Sequence, residues 1–299
     1  MRVFVTGASG WVGSAVVQEL LSAGHTVIGL VRSDEAAAKL AAAGAEVLRG
    51  SMEDLDSLKT GAARADGVIH TAFNHDFSKF AANAALDRGA IEAIGSVLEG
   101  SKRPLLVTSG FARRAAGRIA TEDDPAPPVS DSYPRASEQA AMALAERGVH
   151  ASIVRLAPSV HGRGDHGFVP RLVALAREKG QAAYIDDGQN RWPGVHRLDA
   201  ARLYRLALER GTRGERYHAA AEEGVPFKDI AGAIGKGLGL PVVAKTGDAI
   251  SDHFGWFAGF AAMDMAASSD RTRKTLDWTP THPGLLDDIA HAGYCDAGA

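Results

Sequence analysis

Three glycines at every third position, Gly7, Gly10 and Gly13, follow a short apolar run and open an alanine- and leucine-rich segment. A strand that ends in such a loop and continues into a helix can bind the diphosphate of a dinucleotide. The first glycine permits the tight turn, the second lets the backbone approach a phosphate, and the third lets helix and strand pack closely. The N–H groups at the helix start act as donors. The predicted diphosphate contacts are Gly7, Ser9, Gly10, Trp11, Val12 and Gly13.

The second apolar run ends in Arg32, Ser33 and Asp34. An acidic residue at this strand tip would bind the ribose 2′-hydroxyl of NAD, whereas an arginine suits the 2′-phosphate of NADP. Because Arg32 comes first, we predict that NADP(H) is preferred over NAD(H), with Ser33 as a further donor. Asp34 could instead bend back toward the ribose. Further cofactor contacts are predicted after the later strands, at Ser51, Met52, Thr71, Ala72, Phe73, Thr108, Pro158 and Ser159.

Four side chains are candidates for proton transfer: Ser109, Tyr133, His75 and His161. Hydride transfer is a cofactor's chemistry, and the protein must supply position and a proton, for which histidine is a common donor. His75 precedes Asp76, which could be its partner, and both follow a predicted strand. The alternative is that these histidines cap loops or lie in solvent.

Six short β-rich runs alternate with helical patterns in the first half of the chain. This alternation predicts an α/β fold with a Rossmann-type, doubly wound parallel sheet. The predicted strands are 3–6, 26–30, 46–49, 67–70, 105–108 and 152–156, and the predicted helices include 11–23, 35–43, 77–99, 137–147, 199–209 and 226–238. We predict a dinucleotide-binding domain over 1–160, to which 190–212 returns, and a smaller C-terminal substrate-binding region made of 161–189 and 213–299.

Composition excludes several classes of function. The formal net charge of the 299 residues is −3, which suggests neither a nucleic-acid partner nor a basic membrane patch. With no long apolar run, no secretory leader and a single cysteine, we expect a cytoplasmic protein without a membrane partner. The histidines lack metal-binding spacings, so no metal site is predicted.

Together, the motifs resemble the short-chain dehydrogenase/reductase superfamily, in its extended or atypical, epimerase/dehydratase-like branch. Residues 6–13 are similar to its T-G-x-x-G-x-x-G loop. Residues 155–165 resemble its R-x-x-x-V-Y-G-x-G-D segment, with His161 in place of the tyrosine. Residues 192–199 resemble its H-V-D-D-V-A segment, and 276–280 its G-W-x-P ending.

The resemblance implies a catalytic serine or threonine after the fifth strand and a Tyr-x-x-x-Lys pair. Thr108 or Ser109 could serve as the first, although Gly110 lies where many relatives keep the serine. For the pair, two alignments compete. When the motif is aligned on Tyr133, Ser137 takes the position of the lysine. When the motif is aligned on Ser137, Pro134 takes the position of the tyrosine and Glu138 that of the lysine. This second alignment agrees better with the following helix. Either way the lysine is missing, and we expect no cation near Tyr133.

From these residues we expect an NADP(H)-dependent oxidoreductase that reduces a carbonyl or imine of a small, fairly apolar substrate. His75 or His161, with Ser109 or Tyr133, would replace the missing pair. Trp256, Phe257 and Phe260 could form an apolar roof over the substrate. The alternatives are a non-catalytic NADP(H)-binding sensor or regulator, and a nucleotide-sugar epimerase or dehydratase. Relatives often dimerise through helices beside the sheet, so a homodimer is also possible.

Overall fold

The protein is built on a seven-stranded sheet beside a smaller α/β region. The computed structural model describes residues 1–111, 117–131 and 133–296. The strands within those residues are β1 (Arg2–Thr6), β2 (Thr26–Val31), β3 (Glu46–Arg49), β4 (Gly67–His70), β5 (Pro104–Gly110), β6 (His150–Leu156), β7 (Ser159–His161), β8 (Ala182–Ile185), β9 (Arg191–His196), β10 (Arg216–Ala219), β11 (Glu222–Pro226) and β12 (Val242–Lys245). The helices are α1 (Trp11–Ser22), α2 (Asp34–Ala42), α3 (Leu55–Ala63), α4 (Phe80–Leu98), α5 (Ser137–Glu146), α6 (Phe168–Lys179), α7 (Arg197–Arg210), α8 (Phe227–Leu238), α9 (Asp248–Phe254), α10 (Ala258–Ala261), α11 (Asp270–Leu276) and α12 (Leu285–His291). Short 3-10 turns lie at Phe77–Lys79 and Gly255–Phe257.

The main sheet has the strand order β10-β6-β5-β4-β1-β2-β3, and every neighbouring pair is parallel. The chain runs outward on one side of β1 through β2 and β3, then crosses to β4 on the other side. Ligands of open α/β sheets bind at such a switch point, beyond the carboxyl ends of the strands. The site is therefore expected above the ends of β1, β4 and their neighbours.

Helices cover both faces of this sheet. Val3 and Val5 of β1 pack in one core cluster with residues of α1 and α7, whereas Phe4 packs in a second cluster with residues of α3, α4 and α5. Successive strand residues point to opposite faces, so a strand covered on both sides must be apolar throughout. The predicted doubly wound sheet is confirmed.

A third core cluster lies in the smaller region. It surrounds Trp192, Phe227 and Phe257, all fully buried, and is formed mainly by α6, α8, β8 and the short helices near the C-terminus. Two small sheets belong to this region, β11-β9-β7 and the parallel pair β12-β8. The smaller region faces the carboxyl edge of the main sheet through the loops that follow β4 and β7.

The structure divides the chain differently from the predicted boundaries. Arg216–Ala219 pairs with β6 as the edge strand of the main sheet, although residues 213–299 were assigned to the smaller region. Helices α3 and α6 were not predicted. In α6, Pro170 lies in the first turn, where a missing N–H breaks no helical hydrogen bond, so proline there does not end a helix. The predicted loop at 188–192 runs into β9, which begins at Arg191.

None of the helices among the described residues combines the length and apolar character required to cross a lipid bilayer.

Candidate active site

The glycine loop forms an open cradle at the end of β1. Gly7 has a φ of +66°, and a Cβ there would lie 2.8 Å from the backbone nitrogen of Ala72. A Cβ on Gly13 would lie 2.0 Å from the carbonyl oxygen of Gly7, so α1 packs on the turn too closely for any side chain. A Cβ on Gly10 would contact only the Gly7 oxygen, at 3.2 Å, and no side chain among the described residues caps α1. The uncapped helix start beside open space fits a diphosphate.

The tip of β2 presents a cation to the adjoining space. Arg32 is exposed directly after the strand, whereas the Asp34 carboxylate pairs with the guanidinium of Arg49 from β3. The Ser33 hydroxyl accepts a hydrogen bond from the Ala36 N–H at 3.2 Å and caps α2. Asp34 therefore points to Arg49 and does not bend back toward the predicted ribose.

Acidic and polar residues after β3 border the same space. The pKa of Glu53 is lowered, mainly by a hydrogen bond from Ser51, and the positive charge of Arg32 contributes, so these side chains are neighbours. Met52 is half-buried against the core beneath them. Ser51 and Met52 thus lie beside Arg32, where the adenosine half of a dinucleotide would extend.

The residues after β4 support the glycine loop from below. The Thr71 hydroxyl donates to the Thr6 carbonyl oxygen at 2.7 Å, and the Ala72 N–H donates to the Thr6 hydroxyl at 3.3 Å. Thr108 of β5 is turned inward, because its hydroxyl donates to the His70 carbonyl oxygen at 2.7 Å and lies 2.7 Å from the buried hydroxyl of Tyr204. These hydroxyls stabilise the strand ends beneath the predicted cofactor site.

Pro158 and Ser159 follow β6. Ser159 is 2% exposed, and its hydroxyl has no hydrogen-bond partner among the described residues. Pro158 is half-buried beside it. The Trp11 indole N–H donates to the Val160 carbonyl oxygen at 2.7 Å, which ties this segment to the start of α1.

Beyond β4 and β5, the rings of Phe73, His75, Phe80 and Tyr133 form an aromatic surface that carries two of the candidate proton donors. The ring centre of Phe73 lies 5.3 Å from that of His75 and 6.4 Å from that of Phe80. Tyr133 contacts Phe80 at 6.4 Å, and the Arg135 guanidinium carbon lies 4.2 Å above the Phe73 ring centre. Two of the predicted proton donors, His75 and Tyr133, therefore border the same surface.

His75 is poised to be neutral. Partial burial of its imidazole among the neighbouring side chains lowers its pKa, although the residue keeps an exposed surface, and the positive charges of Arg135 and His166 lower the pKa further. Asp76 is not its partner, because that carboxylate accepts hydrogen bonds from the Ser78 N–H and hydroxyl at 3.1 and 2.5 Å and caps the following turn. The expected His75–Asp76 pair is thus wrong.

No lysine takes the motif position, but Arg135 places a cation on the same aromatic surface that Tyr133 borders. Arg135 lies two residues after Tyr133, whereas the motif places its lysine at position 137 or 138, so the Tyr-x-x-x-Lys spacing does not indicate this arginine. Arg135 donates from Nε to the Ser137 hydroxyl at 2.9 Å and from Nη2 to the Thr108 carbonyl oxygen at 3.2 Å.

Glu138, which takes the lysine position in one alignment, faces the interior. Arg155 binds its carboxylate through two hydrogen bonds of 2.6 and 3.0 Å, and Arg216 adds a third at 2.6 Å. Glu138 is 3% exposed and Arg155 is 2% exposed. Two arginines compensate the carboxylate, so Glu138 is a partner in a buried ion-pair network and not an unpaired charge beside Tyr133.

The structure places His161 away from the aromatic surface, which corrects its assignment as a proton donor. It is fully buried in β7, and its Nδ1 lies 2.6 Å from the Asp288 carboxylate of α12. A side chain without exposed surface cannot reach a substrate above the sheet. Ser109 is 6% exposed in β5, opposite Arg155 of β6, and its predicted role stays a prediction.

A cluster beside His161 contains three potential metal ligands, His196, Asp199 and His282. The two imidazole rings are stacked, with centres 4.5 Å apart and planes 7° apart. Lone pairs of parallel rings do not converge on one ion. Asp199 also accepts hydrogen bonds from the Thr281 and His282 N–H groups at 3.0 Å, so it holds the C-terminal segment in place.

The C-terminal region completes the aromatic surface from above. Phe77, in the turn before α4, contacts Phe260 at 5.3 Å and stacks on Trp256 at 6.0 Å. Trp256 is 58% exposed, whereas Phe257 is fully buried in the smaller core. Trp256 and Phe260 therefore adjoin the reactive edge, while Phe257 supports them from the interior.

The comparisons identify the group of proteins to which this site belongs. The model of the NAD dependent epimerase/dehydratase family matches residues 3–220. An uncharacterized protein of Schizosaccharomyces pombe is 51% identical over 297 residues, which cover 98% of this chain and 100% of that protein. The 4-hydroxy-2-methyl-3-oxo-4-farnesyl-3,4-dihydroquinoline-1-oxide ketoreductase of Stigmatella aurantiaca is 31% identical over 227 residues, which cover 73% of this chain and 67% of that protein.

A solved structure agrees with the fold. A dTDP-glucose 4,6-dehydratase from Streptomyces venezuelae with NAD bound superposes with a TM-score of 0.78 at 19% identity, covering 100% of this chain and 98% of that one. The family match extends over most of the chain and includes the glycine loop, the strand tips and Tyr133. This chain therefore belongs to the NAD-dependent epimerase/dehydratase family and is an NAD(P)-dependent oxidoreductase of the short-chain dehydrogenase/reductase type.

Proposed function

We propose that this enzyme reduces a carbonyl or imine of a small, fairly apolar molecule and uses NADP(H) in preference to NAD(H). The observation that carries the proposal is the meeting of His75, Tyr133 and Arg135 on one aromatic surface above β4 and β5. A reduced nicotinamide supplies a hydride when bound, so the chain must hold the acceptor and provide a proton.

The residues on the other side of the switch point would hold the cofactor. Backbone N–H groups at the start of α1 would bind the diphosphate, because Gly10 leaves the space before the helix open while Gly7 and Gly13 let the turn pack closely against Ala72 and α1. Arg32 would bind a 2′-phosphate. The Asp34 carboxylate, which is 98% exposed, pairs with Arg49, an orientation that agrees with this preference.

The aromatic side chains support an apolar substrate. Phe73, Phe77 and Phe260 bound the reactive edge with ring surfaces, and Trp256 extends them toward solvent. The ketoreductase of Stigmatella aurantiaca, by its name, acts on a molecule that carries a farnesyl chain, which is an apolar group. A ketone or imine next to hydrocarbon would suit both observations.

The proton would come from His75 or Tyr133. Because the pKa of His75 is lowered, the imidazolium form grows only as the pH falls through values below about 6.5. A reduction that depends on His75 as the acid should therefore accelerate on acidification, and His75→Gln should remove that dependence. A reduction that depends on Tyr133 should keep its rate there and be lost in Tyr133→Phe.

The test is the loss of NADPH absorbance with a panel of aldehydes, ketones and imines of graded apolarity. We expect turnover with apolar members and weaker turnover with NADH. Tight NADPH binding without turnover of any member would contradict the proposal and favour a sensor. Binding of dTDP-glucose, measured by calorimetry, would instead favour the epimerase or dehydratase chemistry of other family members.

A further inference from the structure

We infer that Arg135 is the residue that binds the substrate oxygen and stabilises the negative charge that develops there during reduction. The inference rests on the proposed carbonyl reduction and gives that reaction the cation that neither sequence alignment supplied.

The guanidinium is fixed between the ends of two strands. Its Nε donates to the Ser137 hydroxyl at 2.9 Å, and its Nη2 donates to the Thr108 carbonyl oxygen, at the end of β5, at 3.2 Å. Its face covers the ring of Phe73, which follows β4, at 4.2 Å. Since the guanidinium is planar, two hydrogen bonds and a stacked ring determine its orientation.

A buried polar chain anchors this arrangement from below. The Ser137 hydroxyl donates to one Asp87 oxygen at 2.5 Å, and His70 Nε2 lies 3.1 Å from the other. His70 Nδ1 in turn lies 2.8 Å from the hydroxyl of Thr6, beside the glycine loop. None of these four side chains is more than 1% exposed.

Asp87 remains ionised in this setting. Burial alone would raise its pKa, but the hydrogen bond and charge of His70, the charge of Arg135 and the hydrogen bond of Ser137 together lower it. The carboxylate thus balances the guanidinium through a single intervening hydroxyl. A cation with such a partner stays fixed without losing its own charge, because arginine is not deprotonated in proteins.

The third nitrogen of Arg135 is not enclosed by the residues that the structure describes. Among residues 1–111, 117–131 and 133–296, the atom nearest to the position of a Cβ on Gly110 is Nη1, at 4.0 Å, so glycine leaves room for it at the end of β5. No side chain or backbone oxygen of the described residues accepts a hydrogen bond from Nη1. Half-buried Arg135 therefore offers two N–H groups to a ligand beside β5.

A carbonyl oxygen is the acceptor that this reaction brings to that space. As hydride adds to carbon, the π bond breaks and its electron pair moves to oxygen, which later takes up a proton. Donors fixed where charge develops typically contribute about 10²–10³-fold in rate. Arg135 would stabilise the oxygen but not protonate it, because guanidinium is too weak an acid, so His75 or Tyr133 is still required.

The test compares Arg135→Met and Arg135→Lys with the wild type, using a ketone that the panel identifies. We expect kcat to fall about 10²–10³-fold in Arg135→Met, with NADPH affinity within about twofold. Arg135→Lys should recover part of the rate, because lysine restores the positive charge but lacks the planar set of N–H donors of the guanidinium. Arg103→Met is the matched control, since Arg103 binds three carbonyl oxygens at 2.8–3.0 Å far from this edge; we expect lower stability and unchanged kcat.

A binding measurement separates this inference from the proposed reaction. Benzoate offers a charged oxygen and a ring, and calorimetry with the NADP⁺-loaded protein should show at least tenfold weaker binding in Arg135→Met than in Arg103→Met. That result would stand even if no ketone were reduced. Equal benzoate affinities, or a kcat within threefold of wild type in Arg135→Met, would overturn the inference, as would a wild type that neither binds benzoate nor reduces any ketone.

Discussion

The two sides of the nucleotide crevice are built in opposite ways. On the adenosine side, consecutive residues carry the function: the glycine loop between β1 and α1, and Arg32 at the tip of β2. On the reactive side, Phe73 follows β4, Asp87 lies in α4, and Arg135 and Ser137 lie just before and at the start of α5. These three segments meet through hydrogen bonds and a stacked ring. A site made from one turn is visible in a sequence motif, whereas a site made from several elements is not.

The largest effect in testing this difference is expected from Glu138→Lys, which introduces the lysine that one alignment of the motif places at position 138. Glu138→Lys would place a third cation against Arg155 and Arg216 in the buried interior. Removing one partner of a buried ion pair costs about 3–5 kcal/mol, and adding a like charge costs more. We expect this variant to be largely unfolded even without urea, so a urea titration at neutral pH should show little or no unfolding transition.

Glu138→Gln is the control, because it keeps the size and part of the hydrogen bonding and should lose less stability. A folded Glu138→Lys with faster reduction would show instead that position 138 belongs to the reactive site.

The adenosine side is tested by adding a methyl group where α1 meets the turn. In Gly13→Ala the new Cβ would overlap the Gly7 carbonyl oxygen, so the helix must shift away from the diphosphate site. We expect NADPH affinity to fall at least about tenfold, or about 1.4 kcal/mol, by calorimetry.

Gly89→Ala in α4 is the matched control. A Cβ there contacts nothing within 4 Å, so better helix propensity should stabilise the protein by up to about 1 kcal/mol without changing NADPH affinity. If Gly13→Ala bound NADPH as tightly as Gly89→Ala, the close packing of the loop would be unnecessary for binding.

Selectivity between the two coenzymes tests Arg32 alone. A hydrogen bond between charged groups is worth about 1.5–3 kcal/mol, so Arg32→Ala should weaken NADPH binding roughly tenfold to a hundredfold and leave NADH binding unchanged. The loss should shrink at high salt, because Arg32 is exposed.

Arg49→Ala should affect NADPH less, since Arg49 is occupied by Asp34. Equal losses for NADPH and NADH in Arg32→Ala would mean that this arginine does not read the 2′-phosphate.

The smallest expected effect is a pH dependence of stability, and it arises outside the adenosine side. Burial lowers the pKa values of His196 and His253 in the folded protein. Below about pH 6.5, these histidines bind protons in the unfolded chain that they do not bind in the folded state. The free energy of unfolding should therefore fall as the pH drops below that value and reach its full value above it.

Urea titrations from pH 5 to 7 would measure this slope, and His196→Gln should flatten it. A midpoint that stays constant over that range would contradict the lowered pKa values.

The fold was predictable to the extent that it depends on local patterns. All six predicted strands appear as β1–β6, because buried parallel strands are short apolar runs between helices. Helix α3 was missed, and the strand β10 was assigned to the wrong region. The position of β10 depends on its pairing with β6, some sixty residues earlier, and no periodicity within residues 216–219 reveals that partner.

The residues of the site were likewise predictable where they depend on local patterns and not where they depend on distant partners. Gly7, Gly13 and Arg32 lie where the motif implied. His161 looked equivalent to His75 in the sequence, since each follows a strand, yet one is fully buried against Asp288 and the other lies on the aromatic surface. The partner of His161 is more than a hundred residues away, which is why spacing could not distinguish the two.

The sequence by itself indicated the nucleotide-binding turn, because that turn requires residues without a Cβ at fixed spacing between a strand and a helix. Tertiary structure alone decided where the cation of the reactive edge comes from and that Glu138 belongs to the interior. Long side chains reach partners across several ångströms, so their contacts depend on how helices and strands are packed. Ser137 and Glu138 are adjacent in sequence, yet Ser137 contacts Asp87 of α4 whereas Glu138 contacts Arg155 of β6.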